Sequence, residues 1–204
     1  PVHTLTSEYL RKIYGKNYFK DKSGTEVLLS MMYNPLDWGK KPIVKVSHSK
    51  LRNLVGSTDM NSKYIRVSFN DFFDENGHYL LAKDVEIAYE KLQKDRNLFD
   101  KDIIKVDERV NICFAIFGSG IFRLFPLPKD SNNIWLTYTQ STEFSGNDSL
   151  FVANIMPMYF KAVEEGITTN NWTTADTIVG YIQKFQRKYG VEILPEKNKI
   201  DLEI

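Results

Sequence analysis

The chain has 204 residues, 42% of them hydrophobic and 13% aromatic, which is enough apolar material for one sizeable core or two small ones and excludes a disordered chain. Lys and Arg number 27 against 26 Asp and Glu, so the chain lacks the basic excess expected of a duplex-binding protein, and no nucleic-acid partner is expected. No apolar run reaches the ~18 residues of a membrane span, and the single cysteine excludes an internal disulfide.

The first residue is Pro1, and we read the chain as a segment of a longer one. A first helix is predicted from Leu5-Thr6, with Thr6 as cap, Leu5 and Leu10 as a hydrophobic staple, and Gly15 as stop. Tyr9, Leu10, Ile13 and Tyr14 form its apolar side. Thr25 to Tyr33 reads as a second helix with Val27, Leu28, Met31 and Met32 inward. Pro35 biases Asn34 away from helix. Ile43 to Val46 and Tyr64 to Val67 read as short strands, and Ser49 to Val55 as a few helical turns ended by Gly56. Ser68 caps a short helix holding Phe69, Phe72 and Phe73, closed by the turn Asp74 to Gly77. A helix follows from about Ala82 to Lys94.

The central helix carries Ile103, Val106, Val110, Cys113 and Phe117 at steps of three and four, which is one helical stripe. Only Asn111 is polar between Val110 and Phe117, so this half is expected to run through the centre of the protein. Gly118-Ser119-Gly120 stops it. Ile121 to Phe125 is predicted as a buried strand ended by Pro126 and Pro128, with Ile134 to Tyr138 as its partner. Leu150 to Glu165 is a helix interrupted by Pro157 and ended by Gly166. A last helix follows Trp172, with Thr173 and Asp176 as a capping box and Ile178, Ile182, Phe185 and Tyr189 as its stripe. The last two helices form a hairpin. The expected fold class is α+β and mostly α-helical, with helices around a small antiparallel sheet. One domain is expected over 1–191, followed by a linker or edge segment over 192–204.

His3, His48 and His78 are far apart and no short-spaced ligand pairs occur, so no metal site is predicted. Cys113 reads as a small core residue. No nucleophile elbow, phosphate loop or dinucleotide fingerprint is present. Asp107-Glu108-Arg109 reads as a surface or interhelix salt bridge. No catalytic residue is predicted. Trp38 to Thr58 holds Lys40, Lys41, Lys45, Lys50, Arg52 and His48 without one acidic residue. It is either a solvated face neutralised by acids from elsewhere, or a patch for anionic lipid headgroups, an acidic partner or carboxylates such as haem propionates. His48 is either an ordinary surface histidine or a transient ligand.

Several stretches carry a resemblance: P-V-H-T-L-T-S-E-Y-L-R-K-I (Pro1 to Ile13), S-F-N-D-F-F-D-E-N-G (Ser68 to Gly77), F-D-K-D-I-I-K-V-D-E-R-V-N (Phe99 to Asn111), F-R-L-F-P-L-P (Phe122 to Pro128), N-D-S-L-F (Asn147 to Phe151) and the Trp172 helix. Together they resemble the extracytoplasmic region of a fused ResB/CcsA-type cytochrome c biogenesis protein of system II. The resemblance implies a multi-pass inner-membrane parent that moves haem outward and presents it to an apocytochrome c. This segment would be its periplasmic module, docking apocytochrome, holding the membrane parts in register, or both, with membrane helices on either side. Haem would belong to the parent and not to this segment. The family's haem-binding histidines and tryptophan-rich loop have no counterpart here, since Trp38, Trp135 and Trp172 are scattered. Two rival readings are a free-standing periplasmic protein- or peptide-binding module and a hydrolase with an unrecognised site. An apolar groove without acid–base groups favours binding, and a deep pocket with a perturbed carboxylate or histidine favours the enzyme.

Overall fold

The computed structural model describes residues 2–59 and 61–194. It is an α+β fold dominated by helices, with three small antiparallel two-stranded sheets. The chain divides into two compact units, Pro1–Gly118 and Ser119–Ile204, and the boundary falls where the central helix stops. The segment expected as a linker, 192–204, lies outside the described residues beyond Leu194.

In the first unit α1 (Val2–Tyr14) begins four residues earlier than its apolar pattern suggested. Thr6 is therefore not a cap. It is buried inside the helix, where its hydroxyl donates to the His3 carbonyl at 3.0 Å and lies 2.8 Å from the Thr25 hydroxyl. Gly15 ends the helix at φ +91°, the left-handed conformation a C-terminal glycine supplies. A small hairpin, β1 (Tyr18–Phe19) and β2 (Lys22–Ser23), leads into α2 (Gly24–Tyr33). Ser23 and Glu26 cap α2 reciprocally, and Val27, Leu28, Met31 and Met32 face inward as their spacing requires. α1 and α2 cross at Gly24. A Cβ on this glycine would stand 2.8 Å from the Ser7 Cα and N and 2.9 Å from the Thr6 carbonyl carbon. Only glycine allows that approach of backbone to backbone.

Asn34 separates α2 from a single turn, α3 (Pro35–Trp38). β3 (Val44–Val46) pairs antiparallel with β4 (Ile65–Val67), and α4 (Ser49–Leu54) lies in the connection. Ser68 and Asp71 cap a 3-10 turn over Asn70–Phe72 that seats Phe72 in the core. α5 (Ala82–Glu90) is shorter than its pattern, because Lys91 turns extended (ψ 139°) and its ammonium meets the buried Asp100 carboxylate at 2.7 Å. Asp100 also closes a capping box with Asn97 at the start of α6 (Leu98–Phe117).

α6 packs against α5, α1, β3 and α2 and is the axis of this unit. Ile103, Val106, Val110, Cys113 and Ile116 are buried along it. Its second half is not enclosed all round, since Phe114 is 68% exposed.

In the second unit Ile121 to Leu124 is not strand. β5 is Phe125–Pro126 alone, paired with β6 (Trp135–Leu136), so the predicted partner is correct and the extent is not. A two-residue ladder tolerates the proline whose missing N–H was expected to end it. A 3-10 segment, Tyr138–Glu143, leads into α7 (Gly146–Thr169). α7 passes Pro157 and runs beyond Gly166 to a left-handed Asn170. Gly166 is a contact and not a stop, because the Trp172 ring lies where its Cβ would be.

α8 (Thr173–Tyr189) returns along α7 as the predicted hairpin. The Thr173–Asp176 capping box does not form. Thr173 is already the first helical residue, and its hydroxyl donates to the Asn171 side-chain carbonyl. The core gathers on Phe185, stacked on Phe151 with ring centroids 5.1 Å apart and edge-on to Phe125, Phe144 and Tyr189.

Two measurements check this packing. Gly24→Ala should lower stability by about 1–3 kcal/mol in urea unfolding, because backbone must move. Gly180→Ala, whose added methyl meets open space inside α8, should be neutral or stabilising by up to about 1 kcal/mol. Cys113 is fully buried, and burial pushes its thiol pKa up to about 12. Maleimide labelling of the native protein should therefore be slow and should accelerate on unfolding; rapid native labelling would contradict the burial of α6.

Candidate anion-binding surface

The basic run from Lys40 to Arg52 does not stay together in the fold. Arg52 is 4% exposed and structural, its guanidinium donating to the Ser47 carbonyl at 2.6 and 3.1 Å and to the Asp59 carbonyl at 3.2 Å. His48 caps α4, its Nδ1 accepting from the Lys50 amide at 3.2 Å, and its ring meets Phe99 edge-on. The Lys50 ammonium lies 5.8 Å from the same Phe99 ring. Lys41 pairs with Asp37 and lies 4.3 Å above the Trp38 ring. Lys40 is exposed.

Lys45 has a different surrounding. The β3–β4 register places it directly opposite Arg66. Like charges in that position repel. Both cations instead converge on one aromatic ring: the Lys45 Nζ is 4.5 Å and the Arg66 guanidinium carbon 5.0 Å from the centre of Tyr64. The guanidinium also lies 3.9 Å from the Tyr14 ring, and its Nε donates to the Tyr14 carbonyl at 3.1 Å. Neither Lys45 nor Arg66 has a carboxylate partner among the described residues. Tyr14 continues through Phe19 (5.2 Å) to Trp38 (5.3 Å) and so to Lys41. The surface is thus a row of aromatic rings with cations resting on them.

α6 holds this row in place. Arg109 donates from Nη1 to the Lys45 carbonyl at 2.7 Å and from Nε to the Lys12 carbonyl at 2.9 Å. Glu108 pairs with Lys12, which is the interhelix salt bridge expected of this stretch. Sequence reading missed Arg66, Tyr14 and Tyr64. The signal was available: pairing the two predicted strands puts Lys45 beside Arg66, and the alternation of Tyr64 and Arg66 surrounds the pair with an aromatic side chain.

Asp107 is a carboxylate of this unit whose pKa is raised rather than lowered. Burial raises its pKa against hydrogen bonds to Tyr79 and Asn111, which lower it. The Asn111 amide donates to it at 3.0 Å. The Tyr79 hydroxyl is buried without a well-formed hydrogen bond, and burial and the Asp107 charge push its pKa far up. Burial likewise works against the charge on Arg109. Neither histidine nor cysteine is grouped with Asp107, and no set of three or more metal-ligating side chains occurs among the described residues. A shallow cavity of about 290 Å³ in the second unit is lined by Ala162, Glu165, Thr169, Asn171 and Thr174. It brings together one carboxylate and hydroxyl or amide groups, with no base beside a nucleophile. No helix among the described residues is long and apolar enough to cross a membrane.

No family model matches the chain. It is similar to Protein NrfI of Wolinella succinogenes, with 34% identity over 214 residues. That match covers 100% of this chain and 22% of the relative, so the chain spans about a fifth of the length of the protein it matches.

Asp107 gives a pH test. Its folded-state pKa is raised, so ionisation opposes folding. The penalty is fully present above the folded pKa and disappears as pH falls below the unfolded value. Asp107→Asn, which keeps an acceptor for Asn111, should be more stable than the parent at pH 7, with the advantage vanishing below pH ~4. Urea unfolding at the two pH values measures this; an Asn variant less stable at pH 7 than at pH 4 relative to the parent would show that the ionised carboxylate is the favoured form.

Proposed function

We propose that this chain is an extracytoplasmic, non-catalytic module of a cytochrome c biogenesis protein of the ResB/CcsA type. The observation that carries this reading is the end-to-end match with NrfI. A chain aligned over its whole length with a fifth of a larger protein is best understood as one segment of such a protein. The resemblance of the six stretches quoted above supplies the kind of larger protein. In this reading membrane helices flank the segment on both sides, and the module faces the periplasm. Haem is carried by the membrane parts. The module contributes a rigid surface that positions an apocytochrome c, keeps the membrane parts in register, or does both. The organisation of the first unit fits a binding role: its polar clusters are spent on helix caps, carbonyl bonds and aromatic contacts, and Asp107, whose pKa burial raises, is bonded to an amide.

The test uses the parent protein in cells. With Cys113→Ala as background, Lys101→Cys places a thiol on an exposed position of α6. A membrane-impermeant maleimide should label it in intact spheroplasts. Excision of residues 2–194 from the parent should leave the remainder in the membrane but abolish covalent haem attachment to its cytochrome. Labelling only after lysis, or a parent chain without membrane helices on both sides, would overturn the proposal.

A further inference from the structure

We infer that Lys45 and Arg66, with Tyr14 and Tyr64 as walls, form a carboxylate-binding site that docks an acidic segment of a partner polypeptide. The inference stands independently of the function proposed above, because it rests on the geometry of one surface of the first unit.

Three features lead to it. First, two cations are held side by side across an antiparallel pair without a carboxylate, an arrangement that is unfavourable by itself and that an incoming anion relieves. Second, the site is preorganised. The Arg66 Nε donates to the Tyr14 carbonyl and the guanidinium rests 3.9 Å from the Tyr14 ring, which leaves both terminal nitrogens without a hydrogen-bond partner among the described residues. A planar fork held this way suits the two oxygens of a carboxylate. Lys45 is fixed along its length. Its backbone carbonyl is held by Arg109, its Cδ lies 3.3 Å from the Cβ position of Gly15, and its ammonium sits over Tyr64. A larger residue at position 15 would push the ammonium off the ring. Third, the depth of the site selects the kind of anion. Lys45, Tyr64 and Arg66 are all half-buried, and the two cations are set against aromatic rings. A side-chain carboxylate projecting from an extended peptide reaches such a site. A flat layer of lipid headgroups meets exposed lysines more readily than half-buried ones. The half-buried Phe19 ring, edge-on to Tyr14, gives the rest of such a segment an apolar surface to lie on.

The experiment uses the 204-residue chain and three probes: a fluorescein-labelled peptide with three consecutive glutamates, the same peptide with glutamines, and phosphatidylcholine–phosphatidylglycerol vesicles. Anisotropy should show saturable binding of the glutamate peptide and none of the glutamine peptide. Lys45→Gln and Arg66→Gln should each weaken binding by about tenfold, because each removes a charge-assisted hydrogen bond. Lys101→Gln, an exposed lysine on α6, should leave it unchanged. Circular dichroism identifies any variant that fails to fold. Since Arg66 also bonds the Tyr14 carbonyl, Lys45→Gln and amide chemical-shift mapping decide the matter if Arg66→Gln unfolds. Shifts confined to residues 14–16, 19, 44–46 and 64–66 are expected. Binding that persists in Lys45→Gln, shifts elsewhere, or capture by the vesicles with no binding of the glutamate peptide would each overturn the inference.

Discussion

The first unit depends on the Arg109 guanidinium. It pairs with no carboxylate among the described residues and instead ties two backbone carbonyls, one at the end of α1 and one in β3, to the middle of α6. Each bond places a charged donor on a carbonyl that would otherwise lie unsatisfied against a helix, and charge-assisted bonds of this kind are the strong ones. The arrangement is costly if either end is lost. A shorter ammonium could not reach both oxygens, and an apolar residue would remove the donor from the exposed Lys12 carbonyl and the part-buried Lys45 carbonyl. With Glu108 taking Lys12 beside it, two adjacent residues of one turn of α6 fix the C-terminal end of α1. The position of β3, and hence the register against β4, follows from the same contact.

That constraint explains how a surface rich in cations survives without acids to neutralise it. Lys41, Lys45 and Arg66 rest on the faces of Trp38, Tyr64 and Tyr14, so quadrupole attraction replaces much of what a salt bridge would give. The rings in turn are held edge to face through Phe19. The second unit solves its own packing differently. Phe185 gathers four aromatic partners, the Gln186 amide donates to the Leu124 carbonyl, and the Tyr189 hydroxyl donates to Asp148. Its polar links tie the end of α8 to the segment before β5 and to the first turn of α7, where Lys188 also lies 3.9 Å from the Asp148 carboxylate and 4.4 Å from the centre of the Tyr189 ring.

Periodicity made the helices legible. The stripes of α2, α6 and α8 bury the residues their spacing nominates except at the last position of the latter two, where Phe117 and Tyr189 are half-buried, because an apolar face must be covered whatever its neighbours are. Ends were less legible, because they are decided by competition between single contacts. Lys91 leaves α5 to reach Asp100, Thr6 is drawn into α1 by His3 and Thr25, and Asn171 takes the role that spacing assigned to Thr173. The charged surface was half legible. A run without acids contained Lys45 and Lys41, but composition gives no account of distance or burial. Arg52 belongs to the same run and is buried by carbonyls only five and seven residues away. Arg66 lies fourteen positions beyond it and is brought in by the pairing of strands.

The same distinction separates scaffold from surface. Within the stretch Phe99 to Asn111, Asp100 caps α6 and binds Lys91, Asp107 bonds Asn111, and Glu108 and Arg109 fasten α1 and β3. Within Asn147 to Phe151, Asp148 receives Tyr189 and Phe151 stacks on Phe185. These stretches carry the resemblance to a known family, and their polar and aromatic groups are consumed in holding the fold. Tyr14, Lys45, Tyr64 and Arg66 fall outside every one of them. The fold therefore depends on one set of residues, and the exposed chemistry that a partner would meet is borne by another. Substitution at Lys45 or Arg66 can alter what is bound while α6 and its bonds to α1 and β3 remain. A surface built this way can be fitted to a particular partner without rebuilding the helices beneath it, because the contact that positions Lys45 acts on its backbone carbonyl and leaves its side chain free to differ.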